Sequence, residues 1–129
     1  MNADVKKILQ KALDCLSDTE YLLSDNRLEA ACNRAYYAIF DAIQAILVNE
    51  NIATKSHQGV HTKFREMFLK TNILPPELND ILSDSFNMRQ GSDYDSDFEI
   101  SKEDVKRILD EATFFVNTVQ TYLTNVSSL

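Results

Sequence analysis

The stretch Arg27–Glu50, RLEAACNRAYYAIFDAIQAILVNE, is apolar on more than one side of a helix. A stripe of mostly small side chains comprises Leu28, Ala31, Ala35, Ala38 and Ala42, and a stripe of larger ones comprises Tyr36, Phe40, Ile43 and Leu47. A helix that is apolar over so much of its surface lies at the centre of a bundle or is shared with a partner subunit. The alanines would let a neighbouring helix approach closely. The stretch therefore predicts an all-α protein organised around this helix.

The regions on either side carry the spacing of amphipathic helices. Apolar residues between Val5 and Leu16 recur every three or four positions and predict a first helix over about Ala3–Leu23. Asn26, with Glu29 three positions later, resembles a capping box at the start of the second helix. Other residues predict the starts of three more helices: Ser56 for the third, Pro76 for the fourth, and Ser101 with Asp104 for the last. We therefore expect one domain over residues 1–129, a bundle of about five helices with an antiparallel up-and-down core.

The composition supports a helical protein and narrows its functions. The chain has 129 residues with only 2 glycines and 2 prolines, too few turn residues for a sheet-rich fold. Its formal net charge of −7 excludes a general nucleic-acid binder but leaves room for a small basic site. Cys15 and Cys32 have no metal-binding or redox motif and are typical of buried thiols in a reducing compartment. No apolar run approaches the ~20 residues that cross a bilayer, so we expect a cytoplasmic protein without membrane contact.

The segment RQGSDYD, Arg89–Asp95, carries the most informative pattern in the chain. Arg89 is expected at a helix C-terminus, where the helix dipole favours a cation, and Gly91 is expected to cap that helix. The acidic run from Asp93 to Glu99 is expected to form a connector to the last helix. A capping arginine and a solvated acidic loop would explain the segment without any site, so the pattern alone leaves both interpretations open.

Two further groups of polar residues share helical faces. Arg34, Tyr37 and Asp41 lie at i, i+3 and i+7. They indicate either an Arg–Asp pair beside a half-buried tyrosine or an arginine that serves a site shared with the fourth helix. His57 and His61 have the i, i+4 spacing of a zinc-binding HExxH motif, but glutamine replaces the glutamate and no third ligand follows. We interpret them as polar residues on the first turn of a helix and expect neither a metal nor a cofactor.

The sequence resembles the HEPN superfamily, and most of all its small stand-alone members with an Arg-x-x-x-Asp-Tyr motif. The resemblance is carried by NRAYYAIFDAIQAIL, KSHQGVHTKFREMFLKT, a Leu-Pro-Pro segment and RQGSDYD, and it covers nearly the whole chain. It implies a helical bundle, usually a homodimer, in which the arginine motifs of two subunits face one cleft. Many HEPN proteins are metal-independent ribonucleases with an Arg-x4-6-His motif. Many stand-alone members are encoded beside a minimal nucleotidyltransferase as toxin–antitoxin or related pairs, and in some pairs the transferase adenylylates a tyrosine of the motif.

The chain departs from this pattern at the motif histidine. With Arg89 as the motif arginine, Tyr94 takes the place of the histidine and Ser96 takes the place of the tyrosine two residues further on. A histidine with a pKa of about 6.5 suits proton transfer near neutral pH, whereas tyrosine at about 10 and aspartate at about 3.9 need large shifts. Arg89 itself remains suited to binding a phosphate.

Two functional hypotheses follow from the residues and the resemblance. In the first, the protein is a HEPN homodimer that partners a nucleotidyltransferase and binds a nucleotide or RNA phosphate through Arg34, Tyr37 and Arg89, with little or no nuclease activity. In the second, it is a metal-independent ribonuclease toxin that uses Arg89, Asp93 and Tyr94 for catalysis. Tyr94 is also a candidate acceptor for nucleotidylation. A third interpretation makes Arg89 a helix cap and nothing more.

Overall fold

The protein folds into a bundle of helices joined by short connectors, as given by a computed structural model that describes residues 1–127. The helices of this part of the chain are α1 (Ala3–Ser24), α2 (Leu28–Asn49), α3 (His57–Phe64), α4 (Glu77–Tyr94) and α5 (Lys102–Ser127). One π-helical turn, Arg65–Leu69, continues α3. No strand occurs in residues 1–127. The predicted all-α bundle of about five helices is confirmed.

The second helix, α2, is the central element of the bundle. It packs against α1, α3, α4 and α5, and both of its predicted apolar stripes contribute buried residues. Tyr36, Ile39 and Ile43 are fully buried, as are the alanines that let neighbouring helices approach. α1 and α2 form an antiparallel pair because only three residues join them. The apolar surface of α2 is therefore covered within one chain and needs no partner subunit for its burial.

Asn26 ends α1 and does not begin α2. Its backbone has a φ of 57°, in the left-handed region that asparagine tolerates better than most residues. The Asn26 N–H donates to the Leu23 carbonyl at 3.0 Å and the Arg27 N–H to the Leu22 carbonyl at 2.8 Å, which is the Schellman arrangement. α2 then starts after Arg27 without a side-chain cap. The predicted capping box of Asn26 with Glu29 was wrong because Asn26 is used as a helix stop.

The other predicted helix starts agree with the structure. The Ser56 hydroxyl accepts a hydrogen bond from the Gly59 N–H at 2.9 Å at the start of α3. Before α5, the Ser101 hydroxyl accepts from the Asp104 N–H at 3.0 Å, and the Asp104 carboxylate accepts from the Ser101 N–H at 3.1 Å. Hydrogen bonding of the Asp104 carboxylate to the backbone N–H and to the side chain of Ser101 holds the pKa of Asp104 below its usual value. Pro76 directly precedes the first residue of α4.

Helix α4 continues past Gly91, so the expected cap at this glycine was wrong. Gly91 has no left-handed φ, and the helix runs on to Tyr94 before the connector 95–101 begins. Arg89 consequently lies inside the helix and not at its end. The glycine serves a close approach, because a Cβ at Gly91 would overlap the ring of Phe98, which folds back from the connector onto α4. The segment predicted as a loop is therefore helical as far as Tyr94.

The contact between Gly91 and Phe98 predicts a context-dependent effect of Gly91→Ala. In the wild-type background the new methyl group displaces the Phe98 ring, which costs about 1–3 kcal/mol and outweighs a helix-propensity gain of up to about 1 kcal/mol. In a Phe98→Ala background the same substitution becomes neutral or stabilising. A double-mutant cycle measured by urea unfolding tests this. Equal destabilisation in both backgrounds would contradict the contact.

A membrane-spanning segment is not found in the described residues. Within residues 1–127 no helix combines the length and the apolar character that crossing a bilayer requires.

Candidate functional site

Arg89 lies on α4 among three tyrosine rings. Its guanidinium carbon is 5.7 Å from the ring centre of Tyr36, 5.5 Å from that of Tyr37 and 5.4 Å from that of Tyr94. Only 13% of its side chain is exposed. A guanidinium within about 6 Å of an aromatic face is attracted by the ring, and the attraction grows when water is excluded. The rings therefore hold a positive charge at a defined, mostly dry position.

The carboxylate of Asp93 lies beside Arg89, one helical turn further along α4. Asp93 Oδ2 is 2.9 Å from Arg89 Nε and accepts a hydrogen bond from Asn33 Nδ2 at 3.1 Å. The Arg89 Nε–H is not aligned with that oxygen, so this buried donor has no hydrogen-bond acceptor. Arg89 Nη2 donates to the Tyr94 hydroxyl at 3.3 Å. Arg89 is thus paired by charge but incompletely hydrogen-bonded.

Arg34, on α2, brings a second guanidinium to the same surface. Its Nε and Nη2 donate to Asn33 Oδ1 at 3.1 and 2.8 Å, and its guanidinium carbon lies 5.0 Å from the ring centre of Tyr37. No carboxylate within residues 1–127 forms an ion pair with it. The Cys15 thiol donates to Asp41 at 3.8 Å and accepts from Arg34 Nη1 at 3.9 Å. The Arg34–Asp41 pair that the sequence allowed is therefore not formed, because Cys15 stands between the two.

The five residues singled out in the sequence lie together in one region. Tyr37 contacts both guanidinium groups, and Asn33 connects Arg34 to Asp93. Helices α2 and α4 supply all of these side chains. We call this set, Arg34, Tyr37, Arg89, Asp93 and Tyr94, the arginine site.

The two histidines belong to the same neighbourhood, which the sequence did not predict. The Tyr36 hydroxyl lies 2.8 Å from His57 Nδ1 and 2.8 Å from His61 Nε2. His61 is buried and His57 is partly buried against Tyr37 and Phe40. His57 begins α3, as the sequence predicted, but the two side chains pack into the bundle. The i, i+4 spacing placed them on one face, but only the packing of α3 against α2 turns that face inward.

Both imidazoles are held in the neutral form at neutral pH. Burial, with smaller contributions from the charge of Arg65 and from His57, lowers the pKa of His61 to about 4. Burial and the charge of Arg89 lower the pKa of His57. The Tyr36 hydroxyl keeps its proton, because burial raises its pKa. It has one hydrogen, so it donates to one imidazole and accepts from the other.

His57 retains a nitrogen for chemistry. Its Nε2 makes no hydrogen bond within residues 1–127. Its ring stacks 4.5 Å from that of Phe40. It also contacts the rings of Tyr36 and Tyr37, which both contact Arg89. A neutral imidazole beside a guanidinium suits proton transfer next to a bound phosphate. Within residues 1–127 no group of three or more metal-binding side chains is found.

Both cysteines are buried free thiols, as the sequence predicted. Burial is the main reason that the pKa of each is raised to about 11. A thiol with such a pKa is a poor nucleophile at neutral pH. Neither cysteine therefore adds reactive chemistry to the site.

Comparison with known proteins identifies the family. The HEPN domain model matches residues 5–122. A Methanocaldococcus jannaschii protein named "Putative toxin" is 34% identical over 120 residues, which are 93% of this chain and 82% of that protein. A Thermotoga maritima protein named "UPF0332 protein" is 32% identical over 111 residues, 86% of this chain and 84% of that protein. The crystal structure of an archaeal HEPN homologue has the same fold, with a TM-score of 0.64 at 19% identity over 94% of this chain and 98% of that one. The chain therefore belongs to the HEPN family.

Proposed function

We propose that the protein binds a phosphate of RNA or of a nucleotide at the arginine site, as a homodimer that partners a nucleotidyltransferase. The observation that carries the proposal is the pair of guanidinium groups that both contact the ring of Tyr37, 5.0 and 5.5 Å from its centre. Arg34 lacks a carboxylate partner among the described residues, and Arg89 has a buried N–H without an acceptor. The guanidinium of Arg34 is therefore available to phosphate oxygens, and Arg89, whose Nη1 makes no hydrogen bond within residues 1–127, adds a second positive charge beside it.

Two oriented guanidinium groups suit phosphate binding better than two simple cations, such as ammonium groups, would. Guanidinium groups donate two parallel hydrogen bonds to a phosphate, and here their planes are oriented by tyrosine rings and by Asn33. The ring of Tyr94, which is 72% exposed, offers a surface on which a base could stack. The net charge of −7 disfavours non-specific nucleic-acid binding, so we expect binding to be confined to this site.

The contacts of Asp93 and Tyr94, the two candidates for proton transfer in the motif, favour binding over cleavage. Asp93 lies against Arg89 and accepts from Asn33, so its Oδ2 is already engaged. The Tyr94 hydroxyl accepts from Arg89 and faces solvent. We therefore assign the first hypothesis, phosphate binding with little or no nuclease activity.

A metal-independent ribonuclease is the second candidate, and the position of His57 is the observation that favours it. In this alternative Arg89, with Asp93 and Tyr94 beside it, stabilises the charge of the phosphate. The free His57 Nε2 would supply the proton transfer for which the motif position, held by Tyr94, has no histidine.

Incubation of a labelled RNA with the protein in EDTA separates the two candidates. We expect the RNA to be bound and to remain intact. Cleavage that falls about 100-fold or more in His57→Asn would establish the ribonuclease instead, since removal of a general base costs about 10²–10⁴ in rate. Asparagine keeps a polar group near the Tyr36 hydroxyl without titrating. The exposed Lys63 on the same helix, replaced by glutamine, is the matched control.

The dimer, the partner and the modification are further parts of the proposal. Two relatives are named toxins, which supports a paired system, and the exposure of Tyr94 makes its hydroxyl accessible to a transferase. Buried free thiols suit the reducing cytoplasm.

Analytical ultracentrifugation at micromolar concentration tests the dimer, and a monomer would count against it. Mass spectrometry after co-expression with a nucleotidyltransferase encoded beside the gene should detect a nucleotide on Tyr94.

A further inference from the structure

A pocket opens between α3 and α4, and none of the residues of the arginine site lines it. Its volume is about 350 Å³. The residues that line it and enter the argument are Gln58, His61, Arg65, Ser83, Phe86 and Asn87. We call it the Arg65 pocket. It combines a cation, neutral hydrogen-bonding side chains and two aromatic rings.

Arg65 is fixed in the pocket by neutral partners. Its Nε donates to Asn79 Oδ1 at 2.8 Å and its Nη2 donates to the Ser83 hydroxyl at 2.9 Å. It forms no ion pair within residues 1–127, and its Nη1 makes no hydrogen bond there. An oriented arginine without a counter-ion is suited to binding an anion.

The backbone is irregular at the same residue. Arg65 begins the π-helical turn, and the Lys70 N–H donates to the Arg65 carbonyl at 2.9 Å, five residues back. Such single π turns interrupt regular helices and occur frequently at functional sites. This feature is independent of the side-chain contacts and points to the same position.

The Arg65 pocket adjoins the arginine site through shared rings. His61 lines the pocket, and its Nε2 lies 2.8 Å from the Tyr36 hydroxyl. The ring of Phe86 is 5.1 Å from that of His61 and 5.6 Å from that of Tyr36, which in turn contacts Arg89. Ser83 and Arg89 are six residues apart on α4, about 9 Å along the helix axis at 1.5 Å per residue. The two positions also lie about 120° apart around the helix, so a ligand that reaches both must curve around α4 and span more than this axial distance, which takes several nucleotides.

We propose that the Arg65 pocket is a second subsite for the ligand of the arginine site, and that this ligand is single-stranded RNA of several nucleotides. The inference rests on the proposed function and deepens it. Arg65 takes a phosphate of the strand, the ring of Phe86 contacts a base, and the amides of Gln58 and Asn87 contact polar groups of the base or ribose. A mononucleotide would occupy only the arginine site.

Binding of AMP and of a five-nucleotide RNA, both measured in EDTA, tests the subsite. We expect wild type to bind the pentanucleotide at least about 10-fold more tightly than AMP, and Arg65→Gln to remove about 10-fold of pentanucleotide affinity, the size expected for a hydrogen-bonded charge. Arg65→Gln should leave AMP binding unchanged. Asn87→Ala, an exposed position where truncation spares the fold, should weaken the pentanucleotide alone by about 3-fold.

The controls separate this inference from the proposed function. Lys63→Gln removes the same charge from an exposed position on α3 outside the pocket lining and should change neither affinity. Pentanucleotide binding that is unaffected by both Arg65→Gln and Asn87→Ala would overturn the subsite while leaving the arginine site in place. If Arg89→Ala left AMP and pentanucleotide binding unchanged, the phosphate-binding function itself would fail.

Discussion

Replacing Arg89 with alanine is expected to weaken RNA binding by about 100-fold. Hydrogen bonds from a charged group contribute roughly 1.5–3 kcal/mol each, which is about 10- to 150-fold in affinity. Arg89 is mostly buried, and its guanidinium is held among three tyrosine rings. Because its position is determined before binding, little side-chain entropy is lost when a phosphate arrives. Fluorescence anisotropy with a labelled RNA oligonucleotide measures the loss.

A lysine at position 89 separates the contribution of the planar guanidinium to binding from that of its positive charge. Arg89→Lys keeps the positive charge but loses the planar fork and the stacking on Tyr36 and Tyr37, so we expect about a 10-fold loss. Arg27, an exposed arginine paired with Asp25 in the turn between α1 and α2, provides the matched control. Arg27→Ala changes the net charge by the same amount and should leave binding within about twofold. Equal losses of RNA affinity in Arg27→Ala and Arg89→Ala would mean that the affinity depends only on the net charge of the protein.

Acid is expected to destabilise the folded protein by about 3 kcal/mol through His61 alone. In the unfolded chain this histidine binds a proton near pH 6.5, whereas in the folded protein burial and the charge of Arg65 lower its pKa to about 4. Between these values the unfolded state binds more protons, so the free energy of unfolding falls as the pH drops from about 6.5 towards 4. The stabilising contribution is complete above about pH 6.5 and absent below about pH 4.

His61→Gln isolates this contribution. Glutamine can still hydrogen-bond to the Tyr36 hydroxyl but does not titrate, so the variant should lose the contribution of His61 to the pH dependence between pH 6.5 and 4 and keep that of His57. Urea unfolding of both proteins at several pH values provides the comparison, with the difference between the two curves as the readout. Parallel curves for wild type and His61→Gln would contradict a buried neutral imidazole.

Much of the fold was predictable because it depends on local patterns. The apolar spacing of α1 and α5 and the caps at Ser56 and Ser101 are properties of short segments, and the structure agrees with them. Two expectations failed where a local pattern was used differently. Asn26 stops α1 through a left-handed backbone, and Gly91 lies inside α4 because the ring of Phe98 packs on it. Neither outcome is visible without knowing what approaches each residue.

The candidate site was predictable only in part, for the same reason. The sequence placed Arg89 and Asp93 four positions apart, which brings them together as soon as α4 extends to Tyr94. It also placed Arg34 and Tyr37 on one face of α2. That α2 and α4 pack so that both arginines reach Tyr37 is a tertiary result. Their roles in binding stay predictions.

The sequence by itself determined that this chain is a helical bundle built around α2, and its resemblance to the HEPN motif aligned Tyr94 with the histidine of that motif. Only the tertiary structure decided that two other histidines, His57 and His61, meet the Tyr36 hydroxyl close to Arg89. Helical periodicity decides which residues share a face, because neighbours at i and i+4 are related by one turn. It does not decide which face is buried, because that depends on contacts between helices more than 20 residues apart in the chain.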